Sequence, residues 1–432
     1  MSESIRLAIE DGRLIDPANN RDEITNLYIA DGKVLAIGKK PDGFRADQTI
    51  NATGLTVIPG LIDTLVHLRE PGHEHKATID SECRCAAANG ITTLICRPDT
   101  SPVVDTPAVV ELIRHQAQLT AKSRVFSVGA LTRGLKGEQL SEMAALQEAG
   151  CIGVSNAQQP LASSLVTRRA LEYASTFGLT VFVYPDDHAL SEKGCLHEGP
   201  VATRLGLPGI PEASETVAVA RDIALVEQTG AHVHFCNITT RRALRMVGRA
   251  MFDNISVSAD CSIPHLFLTD VDTRNFDSNY HLIPPLRSQS DRDGLRTGLA
   301  EGAISLICSG HQPHEPDAKL APFPATEPGI SGLDTLLPLT LRLVDDGLLS
   351  LSQAISRLTE GPAKMLNLPY GQLGEGAIAD ICIFNPKKPW ILSHNTMQSR
   401  GKNTPFMGWE MNAHVRYTLR DGQIIFNAEN DL

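Results

Sequence analysis

The middle of the chain alternates eight times between a short apolar run and a helix-capable segment, and few folds accept that pattern. The runs are "VIPGLID", "TTLICR", "VFSVGA", "CIGVS", "LTVFVY", "VHFCN", "ISVSA" and "ISLICSG", and segments such as "DTPAVVELIRHQAQL" and "SSLVTRRALEYASTFG" lie between them. A strand buried on both faces reads as an unbroken apolar run, and strands that alternate with helices pair in parallel. Eight such units predict an α/β fold, a (β/α)8 TIM barrel over residues 56–365. That span exceeds the roughly 250 residues usual for such a barrel, so some loops are extended. Barrels of this kind place their chemistry at the C-terminal ends of the strands, which makes those eight ends the positions to read.

The flanks carry a different pattern. "IRLAIEDGRLID", "NLYIADGKVLAIG", "AIADICIFNP" and "AHVRYTLRDGQIIFN" alternate with a period of two, and Asp-Gly pairs at Asp11-Gly12, Asp31-Gly32 and Asp421-Gly422 mark hairpin turns. Residues 1–55 and 366–432 are therefore expected to join as one small composite β domain. A formal net charge of -11, with no basic stripe read in the rows, argues against nucleic acid or an anionic membrane as partner. The N-terminal stretch is charged throughout and no apolar run reaches the length of a membrane span, so the expected location is cytoplasmic. Nine cysteines without a C-x-x-C pair read as buried reduced thiols, and the spacing of Cys83 and Cys85 does not suit a zinc knuckle.

"PGLIDTLVHLREPG", "IPPLRSQSDRDGL", "GHQPH" and "EPGISGLDT", with the tail "KNTPFMGWEMNAHVRYTLRDGQIIF", resemble the signature segments of the dihydroorotase branch of the amidohydrolase superfamily. The match runs in order along nearly the whole chain. It implies a zinc hydrolase of cyclic amides, yet it fails where the metal would be held. The family's D-x-H-x-H motif on strand one retains His67 but has Leu65 for its first histidine. The ligand after strand four falls at Asn156 and Ala157 in "VSNAQQP", the strand-five histidine at Tyr184, and the strand-six histidine at Asn237. The strand-eight aspartate, both metal contact and general base in the family, is Gly310. A catalytic zinc takes about three or four N, O or S donors, and one imidazole does not supply them. No catalytic residue and no metal are expected.

The substrate contacts that the resemblance implies are also altered. Arg69 stands where the family pairs with a carboxylate, but the asparagine of a Met-Pro-Asn-Thr segment is Asp99 in "CRPDTSP", and the asparagine before Pro-Pro-Leu-Arg is Ile283. Asp99 is expected to neutralise Arg69, and Arg69 beside Glu70 reads as a structural ion pair. His314 remains from this vestigial pocket. His311 and His314 have H-x-x-H spacing without a carboxylate in their loop, and Asp186 to His188 reads as a solvated turn. The segment "HEPDAKLAPFPATEPG" is expected to be a loop ordered by a partner or not at all.

Two functions follow from these residues. The first is a catalytically inactive dihydroorotase-like subunit, similar to those that associate with the aspartate carbamoyltransferase catalytic chain; the resemblance also admits a homo-oligomer. The second is a cyclic-amide hydrolase with zinc at a rebuilt site, which requires a fresh cluster of His, Asp, Glu or Cys that the strand ends do not display.

Overall fold

The computed structural model describes residues 5–191 and 193–429. The alternating flanks build one eight-stranded sheet. In it Gln423–Asn427, His414–Arg420, Ile381–Asn385, Thr56–Pro59, Leu7–Asp16, Arg21–Ala30 and Lys33–Ile37 follow one another, and Gln48–Asn51 pairs with Leu7–Asp16. The two ends of the chain meet where Ile381–Phe384 runs antiparallel to Thr56–Pro59. Ile9, Leu14, Leu27, Ile29, Val57, Ile381 and Leu419 are fully buried between them. Asp31-Gly32 and Asp421-Gly422 have the paired positive φ angles of tight hairpin turns (53° and 73°, 51° and 72°). Asp11-Gly12 does not turn. It is a bulge in the continuous strand Leu7–Asp16, and a side chain at Gly12 would come within 2.6 Å of Val57.

All eight central runs are parallel strands of a barrel. In order they are Leu61–Val66, Ile91–Cys96, Arg124–Ser127 continued by Gly129–Ala130, Gly153–Ser155, Thr180–Val183, His232–Phe235, Val257–Ser262 and Leu306–Cys308. Hereafter these are strands one to eight. The ring closes between strands eight and one through Ser309 N–H to Asp63 Oδ1 (2.8 Å) and His67 N–H to the His311 carbonyl (3.1 Å). One correction applies at the entry. "VIPGLID" is two strands rather than one, because Thr56–Pro59 belongs to the flanking sheet and the barrel strand begins after Gly60. A Cβ on Gly60 would lie 2.4 Å from Thr92, so the chain can pass between the two bodies only where there is no side chain.

The helices follow their capping residues. Thr78, Ser163, Thr240 and Ser288 each accept a backbone N–H at the start of a helix on the outer ring. The segment after His314, expected to depend on a partner, is held by its own chain. It forms two short turns, Pro316–Lys319 and Phe323–Ala325, and Phe323 is buried against the His281 ring at 4.9 Å. Among the described residues no helix is long and apolar enough to cross a membrane.

Candidate functional site

The strand ends converge at one mouth, and its side chains are largely committed to one another. On strand one, Leu65 is buried with φ of 56°, and the next outward side chain is His67. Arg69 Nη1 lies 3.5 Å from His67 Nδ1, and since a guanidinium can only donate, the ring proton belongs on Nε2. That Nε2 is buried without a partner. Burial, then the charges of Arg97 and Arg69, push the imidazole well below its ordinary range, so it is neutral.

Strand two ends in the most committed group of the mouth. Arg97, 2% exposed, donates from Nε and Nη2 to both oxygens of Asp99 (3.1 and 3.0 Å) and from Nη1 to the Tyr184 hydroxyl (2.9 Å). Its guanidinium also lies 4.5 Å from the centre of the Tyr184 ring. Asp99 therefore neutralises Arg97, not Arg69 as the sequence suggested. Glu70 is not paired with Arg69 either, but accepts the Ile79 N–H at 2.8 Å. Arg69 instead donates to the Pro313 carbonyl (3.0 Å) and lies 3.0 Å from His314 Nε2. Burial lowers its guanidinium to about 10, and burial with Arg69 and Lys76 lowers His314 to about 2.

The remaining strand ends are equally engaged. Asn156 accepts from Thr132 Oγ1 at 2.6 Å and donates to the Gln159 carbonyl at 2.9 Å, with Ala157 beside it in a left-handed turn. Asn237 Oδ1 accepts from the Cys308 thiol at 3.2 Å. Gly310 has φ of 64°, and a Cβ there would come within 2.9 Å of Ser262. Ile283 contributes its carbonyl to Gln158 at 2.8 Å. His311 and His314 diverge: His311 Nδ1 accepts the Gly332 N–H and Nε2 lies 3.0 Å from Glu82 Oε2, both side chains fully buried. Burial opposes ionisation of Glu82, but His311, Ser399 and Ser81 outweigh it and hold the carboxyl below its ordinary range. Asp186 and His188 are exposed and 4.0 Å apart.

Deeper in the barrel lies a group that reading the strand ends missed. His234, Cys236 and Asp260 place potential ligand atoms within 4.8 Å of one another, the one such group among the described residues. Its sequence signal was the alternation in "VHFCN" and the charge that closes "ISVSAD". The donors already have partners: His234 Nδ1 meets Ser258 Oγ at 2.8 Å and Nε2 meets Asp260 at 3.0 Å, while Asp260 Oδ1 accepts the Asn237 N–H. Burial drives the Cys236 thiol far above its ordinary range, against the thiolate a metal requires.

The space at the mouth is divided among separate cavities. Beside His67, Arg69, Arg97 and Asp99 the cavity is about 10 Å³, enough for about one water molecule. Two others, of about 230 and 330 Å³, open beside Tyr184, the first toward Ile283 and Arg287 and the second toward Asn156 and Ala157. The largest, about 1060 Å³, is remote from the mouth, between the outer helices Arg241–Phe252 and Gln289–Glu301. Arg241, Arg242, Arg245 and Arg249 are exposed on the first of these helices, so a basic stripe does exist and "RRALRMVGR" was its signal.

A (β/α)8 barrel joined to a sheet made from both chain ends is the architecture of cyclic-amide hydrolases. The L-hydantoinase (dihydropyrimidinase) of Arthrobacter aurescens superposes with a TM-score of 0.86 over 97% of this chain and 95% of its own, at 21% identity. Residues 54–243 match the Dihydro-orotase-like family model, and 328–426 match the Amidohydrolase family. A "Dihydroorotase-like protein" of Pseudomonas aeruginosa is 48% identical over 97% of this chain and 99% of the relative. A "Dihydroorotase" of Geobacter sp. strain M21 is 43% identical over 98% and 100%. The chain belongs to the dihydroorotase-like family of the amidohydrolase superfamily.

Members of this superfamily are typically zinc-dependent, but the residues at this mouth do not fit a catalytic zinc. Leu65 and Gly310 offer no donor, Asn156 and Asn237 are weak ligands with partners of their own, and Tyr184 is tied to Arg97. His67 is left as a lone imidazole, with Nδ1 facing the Arg69 guanidinium.

Proposed function

We propose that this chain is a catalytically inactive dihydroorotase-like protein that serves as a non-catalytic assembly subunit for aspartate carbamoyltransferase in pyrimidine synthesis. One observation carries the first half: the positions that hold the family's ligands and base (Leu65, His67, Asn156, Tyr184, Asn237 and Gly310) present a single imidazole and no carboxylate where a hydrolytic metal centre uses three or four donors and a base. The cavity of about 10 Å³ beside Arg69 supports it, since a cyclic amide does not fit against the side chain that pairs with its carboxylate in the family. The assembly role rests on the family resemblance and on a complete, well-packed barrel without hydrolytic machinery. In this reading the chain needs no cofactor and acts in the cytoplasm.

The test has two arms. Purified protein, with and without added zinc, is expected to match the buffer blank in dihydroorotate hydrolysis and in cyclisation of carbamoyl aspartate. Sedimentation velocity with the aspartate carbamoyltransferase catalytic chain is expected to show a joint boundary. Zinc-dependent turnover would restore the second reading, a cyclic-amide hydrolase with a displaced metal. The buried His234, Cys236 and Asp260 group favours that reading, and so does the name of the Geobacter relative.

A further inference from the structure

The Arg97 group has no role in the function proposed so far, yet Nε, Nη1 and Nη2 of its guanidinium are all engaged at the mouth. A guanidinium 2% exposed would be costly to bury alone. Here it is met by a bidentate carboxylate, a hydroxyl and an aromatic face. The group joins two strands: Arg97 and Asp99 follow strand two and Tyr184 closes strand five, with the neutral His67 ring of strand one beside it, Nδ1 3.9 Å from Asp99 Oδ2. A metal at a barrel mouth performs the same mechanical task, a positive charge that draws donors from separate strands to one point.

We propose that Arg97 is a built-in cation in place of a metal: fixed by Asp99 and Tyr184, it ties the ends of strands two and five together and keeps zinc out. The inference rests on reading the ends of strands one and five as vacated ligand positions. Exclusion has two causes. The guanidinium lies between Tyr184 and Asp99, bonded to both, and only about 10 Å³ is free on its side toward His67 and Arg69. It also places a guanidinium 2.9 Å from the hydroxyl of Tyr184, one of the vacated ligand positions, and like charges repel most where water is scarce. His67 stays neutral in the same field and is the one imidazole at the vacated ligand positions. The mouth is then ordered whether or not metal is present, as a permanent scaffold requires.

The experiment measures zinc and stability together. Wild-type protein is expected to retain less than about one zinc per ten chains after dialysis, and its melting midpoint to move by less than about 1 °C between EDTA and zinc chloride. R97M strands Asp99 and Tyr184 and is expected to melt about 5 °C lower, whereas R97M/D99N, which removes both charges, recovers most of the loss. Competition with a chromogenic chelator then compares L65H/Y184H with L65H/Y184H/R97M, and at least about tenfold tighter zinc binding is expected once Arg97 is gone. Equal zinc affinity in those two variants, stoichiometric zinc on the wild type, or an R97M midpoint no lower than the wild type would overturn the proposal. If the triple variant does not fold, the R97M and R97M/D99N midpoints and the wild-type zinc content still decide. Failure of the wild type to join the carbamoyltransferase, with these results as expected, would remove the assembly role alone.

Discussion

Asp63 shows how a single residue records the history of this barrel. It opens the strand-one motif, is fully buried, and keeps one hydrogen bond, from the Ser309 N–H to Oδ1, while Oδ2 has no partner. Burial pushes its carboxyl up to about 6 against the pull of Ser309. A folded value above the unfolded one, roughly 3.9, means that its stabilising contribution is complete below about pH 4 and is lost as pH rises through about 6. D63N keeps the Oδ1 acceptor and removes the charge. It is expected to raise stability at pH 8 by up to about 3 kcal/mol and to have little effect at pH 4. Denaturant melts at both values check this, and a D63N no more stable than the wild type at pH 8 would count against it. The motif position was legible in the sequence. Its missing partner was not, because which oxygen faces a donor depends on where strand eight closes on strand one.

At the scale of elements, one arginine fastens the barrel to the flanking sheet. Arg124, at the start of strand three, donates to Asp380 and Asp421 (2.7 Å each), and its guanidinium lies 4.0 Å from the Tyr370 ring. Asp380 is 2% exposed, so R124M leaves a carboxylate buried with only the Asp421 N–H for compensation. A loss of about 2–4 kcal/mol is expected, with partial recovery in R124M/D380N, as read by denaturant unfolding; unchanged unfolding of R124M would show the junction to be held by packing alone. Element identity was largely written locally, through apolar runs, capping residues and Asp-Gly pairs. The errors came where a local signal had two outcomes: Asp11-Gly12 serves a bulge as well as a turn, and "VIPGLID" serves two sheets because Gly60 lets the chain cross between them.

For the whole molecule the buried histidines set the response to acid. Burial holds His265 and His281 at about 4 and, with its cationic neighbours, His314 at about 2, against roughly 6.5 when unfolded. Depressed values contribute stability that is present above about pH 6.5 and is lost as pH falls toward 4, because the unfolded chain takes up the protons first. Three such groups outweigh the opposite trend of Asp63, so the melting midpoint is expected to fall steadily between pH 6.5 and 4.5; a flat profile would mean that these rings are solvated. The sequence by itself determined the barrel, the composite sheet and the loss of metal donors, since periodicity and the presence or absence of a lone pair are properties of residue types in order. Only the tertiary structure decided that Asp99 serves Arg97 rather than Arg69, that His67 turns Nδ1 toward Arg69, and that His234, Cys236 and Asp260 share one space. Those facts depend on distances of a few ångströms between strands far apart in the chain, and charge pairing and hydrogen bonding follow distance rather than sequence order.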